Sequence, residues 1–73
     1  MIEKHVAIEI QGHALKAIRE LSDALTAAEN RCSPTEYQQI KRGVGLSMGI
    51  METELLAVVY AAHPDIDDLK DLL

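Results

Sequence analysis

Apolar residues in the second half of the chain recur with a helical beat. Tyr37, Ile40, Val44, Met48, Met51, Leu55, Val58 and Ala62 follow one another at steps of three and four, the spacing that puts side chains on one face of an α-helix. The stripe runs through Gly43, Gly45 and Gly49 without changing period, so the pattern predicts one helix with glycines inside it. Its start is marked by Ser33, Pro34 and Glu36. A hydroxyl cap, a proline in the first turn and a carboxylate three residues after the cap form a capping box. Pro64 predicts the end, because the residue before a proline avoids helical backbone. The predicted span is 34–63.

The first half carries a second stripe: Ala14, Leu15, Ile18, Leu21, Leu25 and Ala28. Glu9, His13, Lys16, Glu20 and Asp23 cover the opposite side, the pattern of a helix with one wet face. Residues 2–11 read two ways. Ile2, Lys4, Val6, Ile8 and Ile10 alternate with Glu3, His5, Ala7, Glu9 and Gln11, which is a strand pattern with Gly12 at its junction. A lone strand leaves backbone groups unpaired unless another subunit supplies an edge. A helix over about residues 3–30 is therefore the expectation, and the strand its alternative. Residues 29–32 form the turn between the two helices. In the tail, Ile66, Leu69, Leu72 and Leu73 suggest a short amphipathic turn or helix, with Asp65 placed to cap it. The fold class expected is all-α: an antiparallel helical hairpin plus a short C-terminal helix, in one domain over residues 1–73.

The second helix is not polar on its far side. Leu46, Ile50, Leu56, Ala57 and Tyr60 make another apolar patch, interrupted by Thr53, with Gly45 and Gly49 beside it. A helix apolar nearly all round is a buried helix, and one partner helix cannot cover two faces. The uncovered face predicts a homodimer or higher homo-oligomer, with two hairpins pairing into a four-helix bundle. Gly45 and Gly49, one turn apart, would let another backbone approach closely. The competing reading is that they mark a kink or a frayed turn.

Composition points the same way. A chain of 73 residues buries only about 60% of the surface its unfolded form exposes. Such chains commonly gain stability from disulfides, metal or self-association, and the single cysteine, Cys32, excludes an internal disulfide. There is no Phe or Trp, so the core must be aliphatic.

Charge is uneven. Residues 1–42 balance, and the net charge of -5 arises wholly in residues 43–73. That disfavours nucleic acid and suits a basic protein partner, with Asp65, Asp67, Asp68 and Asp71 as the partner surface. The start, MIEKHVAIEI, lacks a signal-peptide pattern. With one cysteine, the expected location is the cytoplasm. Residues 43–62 come nearest to a membrane span, but Glu52 and Glu54 lie inside it, and a carboxylate at mid-bilayer costs roughly 2.5–3.5 kcal/mol. No membrane role is expected.

Each chemical candidate has a plainer reading. His5, Glu9 and His13 at four-residue steps could ligate a borderline metal, but a wet helix face needs no such explanation. Glu52 and Glu54 stand in an apolar region where a carboxylate can act as acid or base, yet they point to opposite sides of a helix. Cys32, beside Arg31 and a helix start, has the surroundings of a reactive thiol and no catalytic motif around it. Arg31, Lys41 and Arg42, with Lys16 and Arg19, would serve an RNA-binding alternative on the same bundle, without accompanying aromatic residues. "LKDLL", residues 69–73, could dock in a groove of another protein or fold back as a lid. No nucleotide loop, triad or paired-cysteine motif is present. The expectation is a non-enzymatic helical interaction or regulatory protein without cofactor. RNA binding is the alternative, and a small metalloenzyme a distant third.

Overall fold

The computed structural model describes residues 2–67. Among the described residues the structure is helical, with no strand. Helix α1 spans Lys4–Ala28, so residues 2–11 do not form the alternative strand. The face that α1 buries shows why. Ala7, Gln11 and Ala14 are buried, and Ile18, Leu21, Leu25 and Ala28 are partly buried. These positions alternate steps of four and three, a continuous line along one helix face. The expected stripe began too late, at Ala14, and included Leu15, which is exposed. The apparent alternation at the start is divided by the helix. Ile2 and Ile10 turn partly inward, and Val6 and Ile8 stay exposed.

The turn after α1 is local chemistry. Glu29 ends the helix in an extended conformation, φ -61° and ψ 127°, and Asn30 follows with φ 63°. The Arg31 N–H donates to the Ala28 carbonyl at 3.1 Å. Positive φ at the third residue of such a turn costs an ordinary L-residue energy. Asn tolerates it because its short polar side chain can bond locally.

Helix α2 spans Pro34–Ile50 and opens on the expected capping box. The Ser33 Oγ accepts from the Glu36 N–H at 3.2 Å, and a Glu36 carboxylate oxygen accepts from the Ser33 N–H at 2.9 Å. The helix then passes through a π-helical segment, Met51–Leu56, into α3, Ala57–Ala62. His63, at φ -139°, leaves helical backbone ahead of Pro64, as the proline requires.

The π segment overturns part of the expected stripe. A π turn takes up about one residue more than an α turn. One residue corresponds to roughly 100° of α-helical rotation. Everything beyond Leu56 is therefore rotated relative to an unbroken α-helix. Val44 is buried, and Tyr37, Met48 and Met51 are partly buried, while Ile40, also in the expected stripe, is 38% exposed. At the end of the segment and past it the inward residues are Leu56 and Val59, 3% and 1% exposed, while Leu55 and Val58 are 42% and 55% exposed.

A single-turn 3₁₀ helix, Pro64–Ile66, closes the described chain. Ile66 is buried against Ala7 and Val59, and Ile2, Ile10 and Tyr60 pack around this cluster. Burying a valine or isoleucine of this kind contributes about 1.5–3 kcal/mol. The best-packed core thus lies where the start of α1 meets α3 and the 3₁₀ turn. The molecule is elongated, 46 × 21 × 20 Å.

Candidate interaction surface

The end of the molecule opposite the inter-helix turn is tied by polar bonds. Gln11 on α1 donates from Nε2 to the Tyr60 hydroxyl at 3.1 Å and to the Ile66 carbonyl at 2.8 Å. A carbonyl can only accept, so the amide must present its nitrogen there. His63 Nε2 lies 2.6 Å from the Ile2 carbonyl, and by the same logic that nitrogen carries a proton. Lys4 pairs with Asp65, and this ammonium holds the Asp65 carboxyl below its usual value. Asp65, expected as the cap of a tail helix, lies inside the 3₁₀ turn, whose N-cap is His63.

These contacts revise the expected oligomer face. Tyr60 is partly buried in the core cluster and bonded to Gln11, and Leu56 is buried. Both belong to the chain's own interior and not to an outer contact surface. The π rotation carried them inward and turned Leu55 and Val58 outward. The large apolar residues exposed on this helix are Ile40 at 38%, Leu46 at 56%, Ile50 at 62%, Leu55 and Val58. Ala57 and Gly45 are exposed, and Gly49 is partly exposed.

The glycines meet nothing inside the chain. A Cβ built at Gly12, Gly43, Gly45 or Gly49 would find open space within 4 Å, and no glycine has positive φ. Gly43, Gly45 and Gly49 each weaken the helix by roughly 1 kcal/mol relative to alanine, and no contact within the described chain requires them. The Thr53 hydroxyl donates to the Gly49 carbonyl at 2.9 Å, adding a side-chain bond where α2 passes into the π segment.

Exposed charge flanks the apolar surface. Lys41 and Arg42 precede Leu46 and Ile50, and Glu52 and Glu54, within the π segment, separate these two from Leu55 and Val58. None of the four forms an ion pair among the described residues.

The other candidates are not brought together. His5 Nδ1 lies 3.4 Å from a Glu3 carboxylate oxygen. No group of three or more metal-ligating side chains occurs among the described residues, so His5, Glu9 and His13 do not gather around a common point. The Cys32 thiol donates to the Ala28 carbonyl at 3.3 Å, a bond that needs the protonated form. A shallow depression lined by Pro34, Thr35, Gln38, Gln39 and Arg42 includes neither Arg31 nor Lys41. Lys16 and Arg19 are exposed on α1. Asp67 has an interaction partner. Asp68, Asp71 and the rest of "LKDLL" lie outside the described residues.

By length and composition alone, the 29-residue helical run Pro34–Ala62 is apolar enough to cross a membrane. Glu52 and Glu54 are exposed within it. The chain defines a small all-α protein with one under-covered apolar helix. Compared with protein-family models, curated proteins and solved structures, it shows no match.

Proposed function

We propose that the chain is a small cytoplasmic interaction or regulatory protein, not an enzyme, that works as a homo-oligomer. In this reading the two long helices form an antiparallel hairpin, and two copies pair through the outer face of the second helix into a four-helix bundle. The observation that carries it is the exposure of Leu46, Ile50, Leu55 and Val58 on a helix whose opposite face already packs on α1. An apolar patch of this kind on a small chain is a contact surface or an aggregation hazard. The glycines support the same reading, since they cost helix stability and nothing inside the chain uses the space they leave. Exposed Glu52 and Glu54 favour a protein contact over a bilayer, where each carboxylate would be costly. The acidic second half of the chain suits a basic protein as a further partner.

Sedimentation at micromolar concentration tests this directly. The expected result is a dimer or larger species. A Leu46→Ser, Ile50→Ser double variant should shift toward monomer with its helix content preserved. A wild-type chain that stays monomeric, helical and cooperatively folded at that concentration overturns the proposal.

A further inference from the structure

We infer that the partner seated on this face is a second copy of the chain running antiparallel, with its two-fold axis near Met48 and Arg42 of each copy paired with Glu54 of the other. This rests on the self-association proposed above and gives it a geometry. The argument is one of charge complementarity across an exposed apolar surface.

Leu46, Ile50, Glu54 and Val58 are all exposed. A four-residue step slightly overshoots an α-helical turn and falls slightly short of the wider π turn of Met51–Leu56, so the offsets oppose each other and the four stay along one side of the helix. The charges sort by sign along it. Lys41 and Arg42 stand at one end, Glu52 and Glu54 at the other, and residues 43–51 between them carry none. A parallel pairing would set Arg42 against Arg42 and Glu54 against Glu54. An antiparallel pairing sets opposite signs together.

Its register follows from the numbering. Arg42 and Glu54 stand six residues either side of Met48, and Leu46 and Ile50 stand two either side. One two-fold axis at Met48 therefore brings Leu46 onto Ile50 of the other copy, twice. It also brings each Arg42 to a Glu54 at about 9 Å from the axis along the helix. The Arg side chain is long enough to absorb the angular offset between these positions and presents several donors to a carboxylate. Gly49 sits near the centre of this contact, where a missing side chain matters most. The contact has an apolar middle and an ionic rim, the usual anatomy of a protein interface.

The test is a charge-reversal set read by sedimentation and by dimer dissociation at low and high salt: wild type, Arg42→Glu, Glu54→Arg, and the double reversal. Each single change turns two attractive pairs into two repulsive ones, and should weaken the dimer about tenfold at low salt. The double reversal restores opposite signs and should return affinity to within about threefold of wild type. High salt should shrink all these differences. A second measurement does not depend on charge. In a Cys32→Ser background, Gln39→Cys and Val58→Cys chains should cross-link to each other when mixed, since 39 and 58 stand nine and ten residues from Met48 on opposite sides. Neither should cross-link to itself, because like positions would lie about 27–30 Å apart along the helix. A monomeric wild type overturns both this geometry and the proposed function. A wild-type dimer that ignores the single reversals, or that cross-links 39 to 39, overturns the antiparallel geometry alone.

Discussion

Gln11 is a polar side chain in a line of alanines and aliphatic residues, and its nitrogen serves two acceptors on the far end of the chain. Removing it leaves the Ile66 carbonyl without this partner in a buried place, the expensive side of the hydrogen-bond balance. Gln11→Ala should destabilise the fold by about 2–3 kcal/mol. Tyr60→Phe, which removes only an acceptor shared with a second bond, should cost about 1 kcal/mol or less. Denaturant titration separates the two, and equal costs would mean the amide is not what holds this end. Asn30 makes a second prediction at this scale. Its positive φ means that Asn30→Gly should be close to neutral and Asn30→Val should cost roughly 1–2 kcal/mol. Sequence pattern alone places Asn30 in a turn, but enters Gln11 only with Glu3, His5, Ala7 and Glu9 in the strand alternation and not in the apolar stripe of the first helix. The sign that it points inward is its place on the line from Ala7 to Ala14, which stays hidden when residues 2–11 are read in twos.

Between Pro34 and Ile66 the elements differ in how much they owe to local chemistry. The α2 cap was legible because all its partners lie within four residues of one another. Both Glu36, through its bonds to Ser33, and Asp65, through Lys4, have folded-state pKa values below their ordinary ones. Groups depressed in the folded state stabilise it above their unfolded pKa and lose that contribution as pH falls through the folded value. Thermal stability should thus fall as pH is lowered from about 5 through the depressed carboxyl range. Ser33→Ala and Lys4→Met should each flatten that fall. If neither does, other carboxyls govern the acid side. The π segment was not legible, and the reason is specific. Leu55 and Leu56 are adjacent, as are Val58 and Val59, so either member of each pair completes an apolar stripe. The packing of Val59 with Ala7 and the Gln11 bond to Tyr60 fix the rotation that also buries Leu56. A deletion tests this. Removing Glu52, exposed and without an ion pair among the described residues, should convert the segment to regular α-helix while keeping Leu56, Val59 and Tyr60 facing α1. The midpoint of unfolding should then move by less than about 5 °C, under roughly 1 kcal/mol for a chain this size. In an ordinary α-helix the same deletion would rotate the downstream core outward, and a loss of several kcal/mol would show that no extra residue was being accommodated.

Across the whole molecule, the all-α class was legible from periodicity, while the membership of its exposed face was only half legible. Leu46 and Ile50 precede the π segment and fell where an α-helical wheel puts them. Leu56, the last residue of the segment, and Tyr60 beyond it did not. The face that remains consists of large apolar side chains beside glycines that a solitary folded chain does not need, and this yields a prediction in which stability and assembly pull apart. If folding is coupled to pairing, the unfolding midpoint must rise with protein concentration, because the associated state is favoured by mass action. Gly49→Ala adds helix propensity worth up to about 1 kcal/mol and only one methyl group at the contact. It should raise the midpoint at low concentration, where monomer dominates. Gly49→Leu adds a side chain whose Cβ meets nothing within 4 Å inside the chain but which would stand between two closely approaching helices. It should retain the low-concentration midpoint and lose most of the rise at high concentration, since overpacking a close contact costs about 1–3 kcal/mol. The quantity that decides is the slope of the midpoint against concentration. Equal slopes for wild type and Gly49→Leu would mean that no backbone lies against Gly49, and that the glycines serve the helix itself.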